Sequence, residues 1–163
     1  MVPEPELLLA DDAVTGAAWC RAHSDLVDSW LAELLRNACD FSDPRGLALV
    51  AIGGYGRSEL CPGSDIDVML VHDRIPDLRT IADRIWYPIW DQGLKLGQSV
   101  SSVKEALSLA DEDLDTATAL LSARHVAGDA SLSAQLAVGA GAQWERRSKR
   151  WLTQLAERTE ERH

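Results

Sequence analysis

Two aspartates separated by one residue, Asp65 and Asp67, are the side chains whose types and spacing most directly predict chemistry in this sequence. They open an apolar run that continues through Val71, a pattern typical of a β-strand. Alternate side chains of a strand point to the same face, so the carboxylates should project together while Ile66 and Val68 point into a core. Two adjacent carboxylates repel each other unless a cation lies between them. Because Mg²⁺ prefers carboxylate and phosphate oxygens, the pair predicts a Mg²⁺ site, with Mn²⁺ as an alternative ion.

A glycine-rich turn comes ten residues before the aspartates and forms the second half of the predicted site. It follows the apolar run 47–52, a predicted strand, and contains Gly53, Gly54 and Gly56. Glycine has no Cβ, so the backbone can turn sharply here and approach a ligand closely. The free N–H groups of a helix starting near Tyr55 or Gly56 would favour an anion at this turn.

Polar residues between the turn and the aspartates add to the site. Arg57 supplies a permanent cation whose geometry suits phosphate. Ser64 either donates a hydrogen bond to a phosphate or caps the turn, and the sequence leaves both open. Glu59 is expected to pair with Arg57 or to lie in a first helical turn rather than to bind the ligand. Asp-x-Asp or Gly-Gly alone is common, but the combination indicates a site for a nucleoside triphosphate with metal ions.

The composition narrows the classes of function. The chain has 163 residues, of which 46% are hydrophobic and 26% charged, which fits one globular domain. Its formal net charge of −10 would repel a nucleic-acid backbone. The absence of a long apolar run and of a signal-peptide pattern leads us to expect a cytoplasmic protein with no membrane partner. The three cysteines and four histidines show no zinc or disulfide-framework spacing.

Three segments resemble a known family. The Gly-Gly, ten-residue, Asp-x-Asp spacing resembles the DNA polymerase β-type nucleotidyltransferase superfamily, and the string from Gly53 to Asp67 resembles the bacterial PII uridylyltransferases within it. Segments 86–97 (WYPIWDQGLKLG) and 115–129 (DTATALLSARHVAGD) are similar to further motifs of that family. The resemblance covers about residues 45 to 130. It implies an α+β fold, with a small mixed sheet packed with helices, of the polymerase β type.

The resemblance also implies an activity and a partner: transfer of UMP from UTP, or of AMP from ATP, to a tyrosine of the PII signalling protein. Asp65 and Asp67 would hold two metal ions against the triphosphate. The phosphates would be contacted by Gly53, Gly54, Arg57 and Ser64.

The sequence departs from the superfamily on the predicted third strand. Many members carry a third carboxylate there, whereas residues 97–103 (GQSVSSV) have none. Gln98 and Ser101 stand where family members commonly have His and Arg. Two alternatives therefore stay open: a nucleotidyltransferase that modifies another target, and a catalytically weak nucleotide-binding regulatory domain.

Hydrophobic periodicity and turn residues predict the remaining elements. They are a helix over 15–38, a helix from Pro76 that Pro88 kinks or ends, a strand over 97–103, a helix over 105–110, and a helix over 114–127 stopped by Gly128. The aromatic cluster Trp86, Tyr87 and Trp90 is expected in the core.

The chain is expected to divide into a nucleotidyltransferase domain, residues 1–130, and a helical segment, residues 131–163, that leads to domains absent from this chain. Gly139 and Gly141 are expected to break this segment. It carries an apolar stripe of Trp144, Trp151 and Leu155. We expect the stripe to fold back on the body rather than to mediate self-association, which remains the alternative.

Overall fold

The computed structural model describes residues 15–40 and 43–160. The strands are β1 (Leu47–Ala51), β2 (Ile66–His72), β3 (Leu96–Ser101) and β4 (Arg124–Gly128). The helices are α1 (Gly16–Ala38), α2 (Gly53–Gly56), α3 (Leu78–Asp91), α4 (Val103–Glu112), α5 (Leu114–Leu120) and α6 (Ala130–Glu160). None of the helices in these described ranges is long and apolar enough to span a membrane.

One four-stranded sheet, in the order β3-β2-β1-β4, organises the fold. β1 runs antiparallel to β2 and to β4, whereas β3 lies parallel to β2. All five residues of β1 are buried, as expected for a central strand covered on both faces. The predicted α+β class, with a small mixed sheet packed with helices, is confirmed, as is the position of the third strand beside the second.

Alternation along the central strands separates two hydrophobic layers. Leu47, Leu49 and Ala51 pack with α1 and α3 on one face of the sheet. Ala48 and Val50 pack with α4, α5 and α6 on the other face. The burial of Val27, Trp30, Leu31, Leu34, Leu35 and Ala38 along α1 confirms the predicted periodicity of that helix.

The predicted helix over 114–127 is wrong in its second half. The helix ends at Leu120, and Arg124–Gly128 pairs with β1 as an edge strand. Local periodicity could not reveal this pairing, because β4 satisfies the open edge of a strand almost eighty residues earlier in the chain. Gly128 does not stop a helix: it has φ +90°, and a Cβ there would overlap the Leu47 carbonyl oxygen. Only glycine allows β4 to approach β1 so closely.

The expected break in the last segment is also wrong, because α6 is continuous from Ala130 to Glu160. Gly139 serves a different purpose: a Cβ at this position would lie 2.5 Å from Leu107 Cδ1, so glycine lets α6 pack closely against α4. Fold-back of the apolar stripe is confirmed. Trp151 is fully buried, and Trp144 and Leu155 are partly buried against the same core.

The aromatic cluster on α3 is divided between core and surface. Trp86 is buried, but Tyr87 and Trp90 are 58% and 43% exposed, so the expectation of a core cluster is wrong for these two. The helix continues through Pro88 to Asp91, so of the two effects expected of Pro88, a kink or an end, the end is wrong. Helical geometry gives Ile85, Trp86 and Ile89 the buried face and turns the other two aromatics outward.

Candidate functional site

The side chain of Asp67 lies between two glycines from different elements. Asp67 pairs in register with Gly97 of the parallel strand β3. A Cβ built on Gly97 would overlap Asp67 Oδ1, and one built on Gly53 would lie 3.5 Å from Asp67 Oδ2. The carboxylate therefore leans across β3 into space that any larger residue at position 97 would fill. The role of Gly97 cannot be predicted from sequence alone, because it depends on strand register.

The two predicted metal ligands differ in environment. Asp65 is exposed, and its Oδ1 lies 3.9 Å from Nζ of Lys95. Asp67 is half-buried; burial, followed by repulsion from Asp65, raises the pKa of its carboxyl group. Both causes oppose a negative charge on Asp67, and a divalent cation between the carboxylates would offset both by stabilising the charged form. The donor set thus fits a metal ion.

The metal would require further oxygen ligands. Within residues 15–40 and 43–160, no group of three or more His, Cys, Asp or Glu side chains is placed to hold a metal ion. β3 carries no carboxylate, as its sequence indicates. Mg²⁺ commonly completes its coordination with water and substrate phosphate oxygens, so two protein carboxylates are compatible with a site formed together with the substrate.

The glycine turn is docked directly on the strand that carries the aspartates. It forms the single-turn helix α2, which begins at Gly53, two residues or more before the start expected from the sequence. Gly53 has φ +58°, a conformation that glycine adopts at little cost. The N–H of Ile52, just before the turn, donates to the Asp67 carbonyl at 3.0 Å. The turn and the aspartates are therefore held at a fixed separation.

Gly54 and Gly56 serve different purposes. A Cβ on Gly54 would meet only Arg57 Nη2, at 3.9 Å, so the backbone there is open to a ligand. A Cβ on Gly56 would overlap the Ser122 carbonyl oxygen, so this glycine allows close packing against the chain before β4. Gly54 is thus available for phosphate contact, whereas Gly56 is structural.

Arg57 and Ser64 both lie at the surface, and Arg57 lies beside Gly54. Arg57 Nε donates to Glu59 Oε2 at 2.8 Å, which confirms the expected pairing of these residues. Arg57 also lies 3.5 Å from the Ser122 hydroxyl. The Ser64 hydroxyl accepts a hydrogen bond from the Cys61 N–H at 3.0 Å. Ser64 thus caps the turn at residues 61–64, which is one of the two roles expected of it. The Ser64 hydroxyl can still donate its own proton to an acceptor.

A half-buried polar cluster of Asp28, Tyr55 and Arg124 holds the glycine turn in place. The Tyr55 hydroxyl and the Arg124 guanidinium both bond to the Asp28 carboxylate of α1, and Arg124 also donates to the Tyr55 carbonyl at 3.3 Å. Burial, followed by the charge of Asp28, raises the pKa of the Tyr55 phenol far above its ordinary value. Tyr55 is thus a structural donor, and the cluster fixes α2 to α1 and β4. Arg124 lies in a segment that resembles a family motif, whereas its partner Asp28 carries no signal in the sequence.

A cavity of about 360 Å³ opens beside Asp67. Its lining includes Asp67, Gly97, Gln98, Asp115 and Thr116, from β2, β3 and α5. This volume lies within the range of small-ligand sites, roughly 300–1,000 Å³. The structure thus places Asp115 on the wall of the same cavity as Asp67, which sequence alone could not decide.

One further contact and one further cavity help to identify the candidate cavity. Arg158, near the end of α6, makes an ion pair with Asp115 at 2.5 Å, which links the last helix to the cavity wall. A larger cavity of about 490 Å³ lies elsewhere, near Asp40, Arg45 and Arg84, and none of the predicted site residues lines it. The smaller cavity is the candidate because it contains Asp67.

Three sequence relatives of this chain share one description. Bifunctional uridylyltransferase/uridylyl-removing enzymes are 41% identical over 157 residues in Streptomyces coelicolor and 44% identical over 137 residues in Mycobacterium tuberculosis. These alignments cover 95% and 83% of this chain, but 19% and 17% of the relatives. The enzyme of Thiobacillus denitrificans is 44% identical over 118 residues, which are 71% of this chain and 14% of the relative. The chain thus spans about a fifth or less of the length of these relatives.

The other comparisons add little. No family model matches the chain. Among solved structures, a toxin-antitoxin crystallised with AMP-PNP aligns with a TM-score of 0.48 and 12% identity, over 81% of this chain and 98% of that chain. The sequence relatives carry the assignment: the chain belongs to the family of bifunctional uridylyltransferase/uridylyl-removing enzymes and corresponds to its nucleotidyltransferase region.

Proposed function

We propose that this chain transfers a nucleoside monophosphate from a nucleoside triphosphate to a tyrosine of the PII nitrogen-regulatory protein. UTP is the donor that the names of the relatives favour, and ATP is the alternative. One observation carries the proposal: the Asp67 carboxylate is held between Gly53 and Gly97, with a raised pKa, on the wall of a cavity of about 360 Å³. This arrangement supports the assignment of the two aspartates as catalytic residues and metal ligands.

Asp65 and Asp67 are the residues that would hold Mg²⁺. When bound, the ion would lower the pKa of the attacking hydroxyl and neutralise charge on the triphosphate. Gly53 and Gly54 bring the first N–H groups of α2, which have no acceptor within the helix, to the phosphates. Arg57 lies beside this turn and adds positive charge where pyrophosphate would leave. Ser64 retains a donor that can reach a phosphate oxygen.

The rest of the chain fixes the geometry of this reaction. The cluster of Asp28, Tyr55 and Arg124 holds the glycine turn, and the pairing of β2 with β3 holds Asp67. Such rigidity matters because phosphoryl transfer depends chiefly on positioning and on electrostatic stabilisation. The proposal includes a cytoplasmic location, and residues 131–163 as the connection to further domains.

The second candidate is a nucleotide-binding domain with weak catalytic activity. The absence of a carboxylate on β3, at positions 96–101, favours it. A nucleotidyltransferase can place a third carboxylate on that strand as base or ligand, whereas the two predicted metal ligands of this chain lie on β2 (Asp67) and immediately before it (Asp65). In this case the chain would bind a triphosphate with Mg²⁺ but leave PII unmodified.

Titration of UTP and of ATP into the protein with Mg²⁺, followed by transfer of labelled nucleotide to purified PII, tests both candidates. The proposal predicts tighter binding of UTP and label on a PII tyrosine. Asp67→Asn should abolish the transfer. Asp83→Asn is the matched control, because this partly exposed aspartate lies on α3 and, among the ion pairs of the described ranges, contacts only Arg79. Binding without transfer by the wild type would favour the second candidate.

A further inference from the structure

Two of the three cysteines lie in contact, although they are far apart in the sequence. The Sγ atoms of Cys20, on α1, and Cys61, in the loop between α2 and β2, are 3.6 Å apart. A disulfide bond has an S–S length of about 2.05 Å, so its formation requires an approach of about 1.5 Å. Cys61 is exposed and Cys20 is half-buried, so an oxidant in solution can reach the pair.

The segments that carry the two thiols are already packed together. Leu60, the neighbour of Cys61, is buried in the core that α1 covers. His23, one turn after Cys20 on α1, makes a hydrogen bond with the backbone of Leu60. Burial lowers the pKa of His23, and this hydrogen bond acts to raise it. α1 therefore supports this loop through both thiol and backbone contacts.

The loop that carries Cys61 joins the two halves of the candidate site. Cys61 begins a tight turn that two hydrogen bonds with Ser64 close. The Ser64 N–H donates to the Cys61 carbonyl at 3.0 Å, and the Cys61 N–H donates to the Ser64 hydroxyl at 3.0 Å. Asp65 follows immediately. A covalent bond at Cys61 would thus tie α1 to the segment between the glycine turn and the aspartate pair.

We propose that Cys20 and Cys61 form a redox-sensitive dithiol, a modification site for disulfide oxidants of the glutathione class. The Cys61 thiolate attacks one sulfur of oxidised glutathione, which gives a mixed disulfide and releases one glutathione thiolate. The Cys20 thiolate then attacks the Cys61 sulfur, closes the protein disulfide and releases the second glutathione. Two protein thiols are oxidised, and one glutathione disulfide is reduced to two thiols.

The difference in exposure assigns the order of the two attacks. Burial, followed by the contact with Cys61, raises the pKa of the Cys20 thiol, so Cys20 is the poorer first nucleophile. Exposed Cys61 meets the oxidant first, and Cys20 resolves the mixed disulfide. Cys39 provides an internal control, because it follows the last turn of α1, roughly 28 Å along the helix from Cys20 at 1.5 Å per residue.

Peptide mapping of the whole chain tests the proposal directly. Trypsin cleaves after Arg and Lys, so it separates the three cysteines into peptides 1–21, 37–45 and 58–74. Treatment with oxidised glutathione should lower the intact mass by two hydrogens and link peptide 1–21 to peptide 58–74. Dithiothreitol should reverse both changes, and Cys39→Ser should leave the cross-link unaffected.

The resolving role is tested separately with Cys20→Ser. This variant should retain glutathione on Cys61 as a stable mixed disulfide, whereas the wild type should pass through that species to the cross-link. The proposal is overturned if the wild type also stops at glutathionylated Cys61, or if its cross-links involve peptide 37–45 or join separate chains. Since no outcome depends on nucleotide transfer, the test is independent of the proposed function.

Discussion

Gly97→Ala should disable the site while preserving the fold. A Cβ at position 97 would overlap Asp67 Oδ1, whereas ordinary van der Waals contacts of a Cβ begin near 3.4 Å. The carboxylate must therefore rotate or shift by about 1 Å, and a misplacement of that size can cost about 100-fold in rate. This loss corresponds to about 2.7 kcal/mol of transition-state stabilisation. The expected defect is a fall in the transfer rate, together with weaker Mn²⁺ binding at the aspartate pair.

The stability of Gly97→Ala should change little. Position 97 has no positive φ, so alanine reduces the entropy of the unfolded chain by about 0.4–1 kcal/mol, and this gain offsets part of the strain at Asp67. The matched control is Gly141→Ala on α6, because a Cβ there meets nothing within 4 Å. It should keep full activity and gain up to about 1 kcal/mol of stability.

The assays are transfer of labelled nucleotide to PII, calorimetric titration with Mn²⁺, and urea unfolding. The reasoning predicts an active Gly141→Ala, and a folded Gly97→Ala that binds the ion weakly and labels PII slowly. Wild-type labelling by Gly97→Ala, with unchanged Mn²⁺ affinity, would refute the conclusion that the glycine makes room for the Asp67 carboxylate.

Further predictions concern the charge at the site and the packing around it. The pKa of Asp67 is raised in the folded state, so without metal the contribution of this residue to stability falls as the pH rises through that pKa. At pH 7, Asp67→Asn should therefore unfold at a higher urea concentration than the wild type. Near pH 3, the two proteins should unfold at similar urea concentrations. Arg124→Met leaves the half-buried Asp28 carboxylate without its guanidinium and should lower the unfolding free energy by about 2–3 kcal/mol, part of which Asp28→Asn should restore in the double variant. Trp151→Ala should cost about 3–5 kcal/mol in urea unfolding because Trp151 is fully buried, and a loss below about 1 kcal/mol would contradict the packing of α6 on the sheet.

The local features of the candidate site were predictable from sequence because each is encoded within a few residues. The alternation of Asp65, Ile66 and Asp67 determines which side chains share a face, and the glycines before them indicate a turn. The observed burial of Ile66 and the exposure of Asp65 agree with that pattern. The roles of these residues in binding remain predictions that the experiments above address.

The features that sequence reasoning missed depend on contacts between distant segments. β4 is a strand because β1 offers it an edge, and Gly139 allows α6 to pack closely against Leu107 of α4. The importance of Gly97 follows from its register opposite Asp67. The proximity of Cys20 and Cys61 likewise needs the packing of α1 against the loop. None of these relations leaves a periodic signal in one segment of sequence.

Intact-mass spectrometry of PII after incubation with this chain, UTP and Mg²⁺ tests the central claim most directly. The account predicts the addition of one UMP to a single PII tyrosine by the wild type and by Asp83→Asn, and no addition by Asp67→Asn. Equal modification by folded Asp67→Asn, or unmodified PII in the presence of wild-type protein that binds UTP, would contradict it.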